Sequence, residues 1–248
     1  MPVRILVADG DGDSRSLTAR ALGAAGHETL EAANGSEALA RARETPPDLA
    51  VLEVALPEDA DGTAIDGFDV CRELRRDGDL PVMFLTARRD PVDELVGLAV
   101  GADAYLGKPM MPRLVVAHAE ALLRRARRVG AEAAPALRAR PTTDGGGDDG
   151  PRTLALDDLA IDLDAREVHV NGAPTELTRT EYDLLVALAR NPRRVLTREQ
   201  LLEEVWGDWY GSDHVLDVHL SRLRAKVLAA GGQRIGHAVR GVGFRLRP

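Results

Sequence analysis

The sequence predicts an α/β protein: a five-stranded parallel sheet covered by helices on both faces, followed by a smaller α+β unit. Three observations lead there. Residues 3–128 alternate short apolar runs with segments of helical period, the pattern of a parallel sheet with crossover helices. Residues 129–152, "VGAEAAPALRARPTTDGGGDDGPR", have no apolar period and read as a flexible linker. Residues 153–248 begin with short alternating strands, continue with helices and close on a Gly-containing hairpin. A chain of 248 residues has room for two domains of ordinary size.

In the first domain the strands fall at 3–8, 28–31, 48–53, 81–85 and 103–107. Apart from 28–31, each is a brief apolar, often β-branched run, as expected of strands buried on both faces. The helical segments between them are 14–25, 35–44, 67–76, 91–100 and 111–127. Ligands of such sheets sit beyond the carboxyl ends of the strands. Asp9, Asp11, Glu53, Thr86 and Lys108 all lie at those ends. In the second domain "LALDDLAIDL", "EVHV" and "TELT" read as strands. Helices follow at 178–190, 197–205 and 213–229, and "HAVRGVGFRLRP" closes the chain as a hairpin.

Composition limits the function classes. The chain is 44% hydrophobic but only 3% aromatic, so its cores are built from Leu, Val and Ala. Its net charge of -8 argues against an overall basic coat, though not against a local basic face. Residues 1–128 carry 16 Lys+Arg against 22 Asp+Glu, whereas 214–248 hold seven basic residues against the single acid Asp217. One cysteine, Cys71, excludes an intramolecular disulfide and fits a reducing cytosol. No window is apolar enough to span a bilayer, and no signal-peptide core is visible at the N-terminus. These features predict a cytoplasmic protein without a membrane partner. No nucleophile–base pairing, phosphate-binding Gly-rich loop or His-based metal spacing appears, so an enzyme is not expected.

The segments "ILVADGD", "DLAVLEVALP", "VMFLTA" and "GADAYLGKP" occur in an order that resembles the receiver domain of two-component response regulators. The segments "LTRTEYDLLVALARNP", "LTREQLLEEVWG", "DVHLSRLRAKV" and "VRGVGFRL" resemble the winged-helix output domain of the OmpR/PhoB type. The resemblance implies a flavodoxin-like receiver at 1–128, the linker at 129–152 and a winged-helix DNA-binding domain at 153–248.

In this family an aspartate at the position of Glu53 accepts a phosphoryl group from a histidine kinase. Two adjacent acids after the first strand help to hold Mg²⁺. Here the acceptor is Glu53, and the acid pair has become Asp9 and Gly10. Mg²⁺ demands near-octahedral geometry, so the loss of one carboxylate weakens the site. Asp9 and Asp11 are the weak remaining candidates, and tight Mg²⁺ binding is not expected. Glu53 carries its carboxylate one methylene further out, and in-line transfer is sensitive to displacements of about 1 Å. Thr86 and Lys108, which in the family bind the phosphoryl oxygens, are present, and a Lys108–Glu53 ion pair is expected. An insertion, "EDADGTAI" after Pro57, has an Asp-x-Asp-Gly fragment without the rest of a calcium loop, so it reads as solvated.

The family dimerises through charges on the last helices and strand. Here Asp103 is retained, while Ala104, Leu114, His118 and Glu94 replace expected charges. A dimer would lean on Leu114 and Val115. The helix 213–229 resembles the recognition helix, with His219, Arg222 and Lys226 at i, i+3 and i+7. His214, Ser221 and Arg224 complete its expected DNA face, and Arg240 at the hairpin tip is expected in the minor groove. Trp206 reads as core. The loop "GDWYGSD", with Trp209 and Tyr210, can in the family contact RNA polymerase.

The expected function is a sequence-specific regulator that binds repeat sites on double-stranded DNA as a homodimer, without phosphorylation. Two alternatives stay open. The receiver pocket senses a small molecule or protein that controls DNA binding, or a histidine kinase phosphorylates the chain in the ordinary way.

Overall fold

A computed structural model describes residues 3–76, 78–132, 153–207 and 214–247, with side chains up to 126 in the helix that ends at Glu132. The chain divides into two compact units, one built on a five-stranded sheet and the other on a four-stranded sheet and a hairpin.

The first unit alternates strand and helix without exception: β1 Arg4–Ala8, α1 Gly12–Ala24, β2 Glu28–Ala32, α2 Gly35–Glu44, β3 Leu49–Leu52, α3 Gly67–Arg76, β4 Val82–Thr86, α4 Pro91–Ala99, β5 Ala104–Gly107 and α5 Pro112–Glu132. All neighbouring strands are parallel, in the order β2-β1-β3-β4-β5. The order reverses beside β1, so the carboxyl ends of β1 and β3 form the crevice in which α/β sheets place their ligands. Ile5, Leu6, Leu49, Leu52, Met83 and Phe84 are fully buried in the sheet. Phe84 meets Phe68 edge-on at 5.3 Å between ring centroids and Tyr105 at 5.7 Å, so three of the few aromatic rings form one cluster.

Helix starts follow local capping chemistry. Asp11 caps α1, Asn34 caps α2 and Asp90 caps α4, with Pro91 in the first turn of α4. The helix α5 extends past the expected boundary at 129 to Glu132, because "VGAEAA" supplies helix-forming Ala and Glu before Pro135. The remainder of the expected linker, 133–152, lies outside the described residues.

After α5 come β6 Thr153–Leu156, β7 Leu159–Asp162, β8 Glu167–Val170, β9 Ala173–Pro174, α6 Arg179–Arg190, α7 Arg198–Trp206, α8 His214–Ala229, β10 His237–Val239 and β11 Gly243–Arg245. The second unit is Arg125–Val205 with Leu220–Pro248, so α8 enters it from Leu220 onward. The first four strands form an antiparallel sheet in sequential order, and the last two form the hairpin. Leu196 and Phe244 exchange two backbone hydrogen bonds of 2.8 Å, which anchor the hairpin to the segment before α7.

One expected strand is not formed. The sequence predicts a strand at "TELT", but the strand β9 stops at Pro174. Thr178 instead caps α6, and Glu181 returns a hydrogen bond to the Thr178 backbone N–H, forming a reciprocal capping box. Local capping outweighs the β-propensity of two threonines. Among the described residues no helix is long and apolar enough to cross a membrane.

Candidate functional site

The carboxyl ends of β1, β3, β4 and β5 bring Asp9, Glu53, Thr86 and Lys108 together. Glu53 is 6% exposed, and both of its oxygens are engaged. Oε1 accepts from the Val54 N–H at 2.7 Å, the Ala55 N–H at 3.2 Å and the Thr86 hydroxyl. Oε2 accepts from the Ala87 N–H at 3.1 Å and from Lys108 Nζ at 2.9 Å. A carboxylate offers about four lone-pair directions, so this group has no acceptor capacity left over. Lys108 Nζ also donates to Asp9 Oδ2 at 2.5 Å, so one ammonium bridges two carboxylates.

The electrostatics follow from that geometry. Burial pushes the Glu53 carboxyl up, but the Thr86 hydroxyl, Lys108 and the Ala55 N–H outweigh it, so Glu53 lies below the usual carboxylate range. For Lys108, burial favours the neutral amine, yet the hydrogen bonds to Asp9 and Glu53 prevail and raise its pKa. Both groups are therefore charged at neutral pH. The expected Lys108–Glu53 pair is present, and Asp9 joins it.

Asp9 Oδ1 accepts from the Asp11 N–H at 3.0 Å, and Asp11 Oδ1 caps α1 by accepting from the Asp13 and Ser14 N–H groups. Gly10 is shaped by packing. A Cβ there would lie 2.6 Å from Pro57 Cδ, a stiff ring atom, so an acid at position 10 requires Pro57 to move. Gly67 sets the floor of the pocket, because a Cβ would meet the Glu53 carbonyl oxygen at 2.2 Å. The insertion after Pro57 is folded on Asp59, which accepts from the Ser36 hydroxyl at 2.6 Å and from the Asp61 and Thr63 N–H groups. Among the described residues no three His, Cys, Asp or Glu side chains are grouped to hold a metal ion.

The expected dimer face is corrected in part. The Asp103 carboxylate is bonded to Arg75 at 2.6 Å and to the Val82 N–H at 3.0 Å. Val115 and His118 are buried, and Leu114 is half-buried. Buried side chains present nothing to a partner. The helix α4 instead exposes Val92, Leu95 and Val96, spaced i, i+3 and i+4 on one face.

The expected DNA face is also redistributed. His219 is fully buried, its ring 5.9 Å from that of Trp206, so it does not share a solvent face with Arg222 and Lys226. Trp206 is core, as its sequence context implies. Arg222 Nε lies 3.0 Å and Lys226 Nζ 2.7 Å from the two oxygens of Glu181, which is itself fully buried. Burial raises the Glu181 pKa, but Lys226, the Thr178 N–H and Arg222 bring it below the usual range. Arg224 donates to the carbonyls of Ile235 and Gly236, joining α8 to the strand that leads into the hairpin. His214, Ser221 and Arg240 are exposed. Trp209 and Tyr210 lie outside the described residues.

Sequence reading missed Glu181, although the spacing Thr178-x-x-Glu181 is a capping-box signal. It also missed the Ala55 and Ala87 N–H donors, which leave no mark in side-chain identity.

Comparison with known proteins places both parts of the chain in known families. Residues 5–120 match the model of the response regulator receiver domain, and residues 172–246 match "Transcriptional regulatory protein, C terminal". The chain is 42% identical over 249 residues to the response regulator MprA of Mycolicibacterium vanbaalenii, covering 100% of this chain and 98% of that one. It is 39% identical over 251 residues to the DNA-binding response regulator MtrA of Mycobacterium tuberculosis, with 100% and 98% covered. A solved mutant of RitR shares 28% identity and a TM-score of 0.72, with 99% of each chain covered. With both domain models matched in order and relatives similar along nearly their whole length, the chain belongs to the OmpR/PhoB-type response regulators.

Proposed function

We propose that this protein is a sequence-specific DNA-binding transcription regulator of the cytoplasm whose receiver works without phosphorylation. Family membership and the exposed Arg240 and His214 support DNA binding. The observation that carries phosphorylation independence is the Glu53 carboxylate, hydrogen-bonded by the Thr86 hydroxyl and the Lys108 ammonium. In the family those two groups hold the phosphoryl oxygens. Here a permanent negative charge already occupies them, with the Ala55 and Ala87 N–H groups alongside. An incoming phosphoryl group finds no free acceptor oxygen on Glu53, and the Thr86 hydroxyl and the Ala55 and Ala87 N–H groups that would stabilise it already donate to that carboxylate.

The residues present do not fit a divalent cation. Asp9 is paired to Lys108, Asp11 is used in capping α1, and position 10 has no carboxylate. No step of the function runs through a metal. Glu53 acts as a built-in anion that keeps Thr86 and Lys108 in one arrangement. The DNA-bound form is a homodimer on repeated half-sites about one helical turn apart, as two-copy helix-turn-helix binding requires. Its apolar contact is the Val92, Leu95 and Val96 face.

Intact-mass measurement after exposure to a small phosphodonor with Mg²⁺ tests this. No added phosphoryl mass and an unchanged DNA-binding isotherm are expected. A gain of one phosphoryl group on the natural chain would return the protein to the ordinary kinase-driven class.

A further inference from the structure

An apolar cavity of 440 Å³ opens beside Lys108 in the first unit. Leu17 of α1, Leu85 of β4, and Pro109, Met110, Pro112 and Val115 around the start of α5 supply its walls. Only Ser14, Thr18 and Lys108 bring polar groups to it. The size falls within the range of small-molecule sites, about 300–1,000 Å³, which are mostly apolar with a few convergent polar groups. Leu17 stays 48% exposed at the rim, an apolar side chain left in water. Met110 is an unbranched, adaptable wall.

The charges nearby select the ligand. Lys108 Nζ uses donors on Asp9 and Glu53, and an ammonium has three. One hydrogen bond therefore remains for an acceptor in the cavity. Among the described lining residues Lys108 alone is charged, so a cationic ligand meets no carboxylate in the wall. The same ammonium is already neutralised by Asp9 and Glu53, so it offers no net positive charge to an anionic ligand.

We infer that this cavity binds a small, uncharged, largely apolar molecule carrying a carbonyl or ether oxygen directed at Lys108. The inference goes beyond the DNA-binding reading. It gives the receiver an input that needs no phosphoryl chemistry, because the same lysine forms the cavity wall and holds Glu53.

The test uses the full-length protein and two fluorescent probes of similar ring size. Prodan is an uncharged naphthyl ketone, and anilinonaphthalene sulfonate is its anionic counterpart. Prodan is expected to bind one equivalent with blue-shifted emission, and the sulfonate at least about tenfold more weakly. Leu17→Trp and Met110→Trp, which fill the rim and wall, should each abolish prodan binding while leaving the unfolding midpoint in place. Arg43→Ala, on the exposed face of α2, should leave it intact. Equal affinity for both probes, binding that survives both filling variants, or loss of binding in Arg43→Ala would each overturn the assignment. DNA affinity of the filling variants, read by fluorescence anisotropy, reports separately. If DNA binding persists where the cavity assignment fails, the regulator reading stands without it. If DNA binding is absent from every variant and from the parent, the regulator reading fails by itself.

Discussion

Two buried glutamates, one in each unit, hold lysines in ways that lead to opposite consequences. Glu53 is 6% exposed and engages Lys108, while Glu181 is fully buried and engages Lys226 and Arg222. Around Glu53, backbone N–H groups and a hydroxyl supply most of the donors, so the carboxylate is fixed by the sheet edge itself. Around Glu181, the backbone contributes the Thr178 capping bond, and the cations come from the helix that resembles a recognition helix. In the first unit the glutamate occupies groups that the family keeps for a phosphoryl. In the second it restrains groups that the family presents to DNA. The role of a buried carboxylate is thus set by what its partners would otherwise bind. Both pairs include a cation that stays partly in water, Lys108 at 20% and Lys226 at 34% side-chain exposure, so solvent screens part of each attraction.

The largest expected effect breaks the second network. Glu181→Ala removes a fully buried carboxylate and one half of a capping box, and should cost about 3 kcal/mol in urea unfolding. Glu181→Gln keeps the capping acceptor but removes the negative charge that pairs with Lys226 and Arg222. It should cost less stability and steepen the salt dependence of DNA binding, since the Lys226 ammonium loses its carboxylate partner and can turn to phosphates. If neither variant changes unfolding or salt slope, the two networks are not comparable.

Next comes the first network. Lys108→Met leaves Asp9 and Glu53 buried near each other without their shared counter-ion, at a cost of about 2–3 kcal/mol at neutral pH. The pH dependence should also change sign. In the natural chain the Glu53 pKa is depressed below 4.5, so its contribution is complete above that value and is lost as pH falls through the lowered pKa. In Lys108→Met burial of the Glu53 carboxyl is no longer opposed by the lysine, so this variant should gain stability on acidification from neutral pH toward 5, as followed by thermal unfolding. Loss on acidification in both proteins would show that Lys108 does not set the charge state of Glu53.

Smaller effects are expected at the DNA face. Arg240→Ala, at the exposed hairpin tip, should cost about 1–2 kcal/mol of DNA affinity, most on A·T-rich flanks. Arg222→Ala should cost less, about 0.5–1 kcal/mol, because Arg222 is already paired with Glu181 and must leave it to read a base. Equal losses, measured by anisotropy at one salt concentration, would mean that the Glu181 pair opens freely on DNA.

The least visible change is an attempted reversal. Gly10→Asp with Glu53→Asp restores the family's residue types, yet the Cβ at position 10 meets Pro57 Cδ at 2.6 Å. Little Mg²⁺-dependent phosphoryl gain is expected from the double variant. Adding Pro57→Ala, which removes the ring, should increase it. Full recovery in the double variant would show that Pro57 yields easily.

Much of the fold was legible in the sequence. Strand and helix positions in the first unit follow largely from apolar period, because β1, β3 and β4 are buried on both faces, whereas the edge strand β2 is mostly half-exposed. For the same reason Asp9, Glu53, Thr86 and Lys108 could be placed at one sheet edge from their positions after strands. The sequence also exposed the missing acid at 10 and the glutamate in place of aspartate at 53, since a residue type is visible without coordinates. It did not determine which atoms bond. Lys108 bridging two carboxylates, Asp103 held by Arg75, His219 buried beside Trp206, and Glu181 gripping two cations of α8 all join residues far apart along the chain. Periodicity assigns a residue to a face of its own element, but the neighbouring element decides whether that face meets water, a ring or a carboxylate. The obstruction at Gly10 and the cavity beside Lys108 have the same origin, because steric clash and empty volume exist only once separate segments have packed.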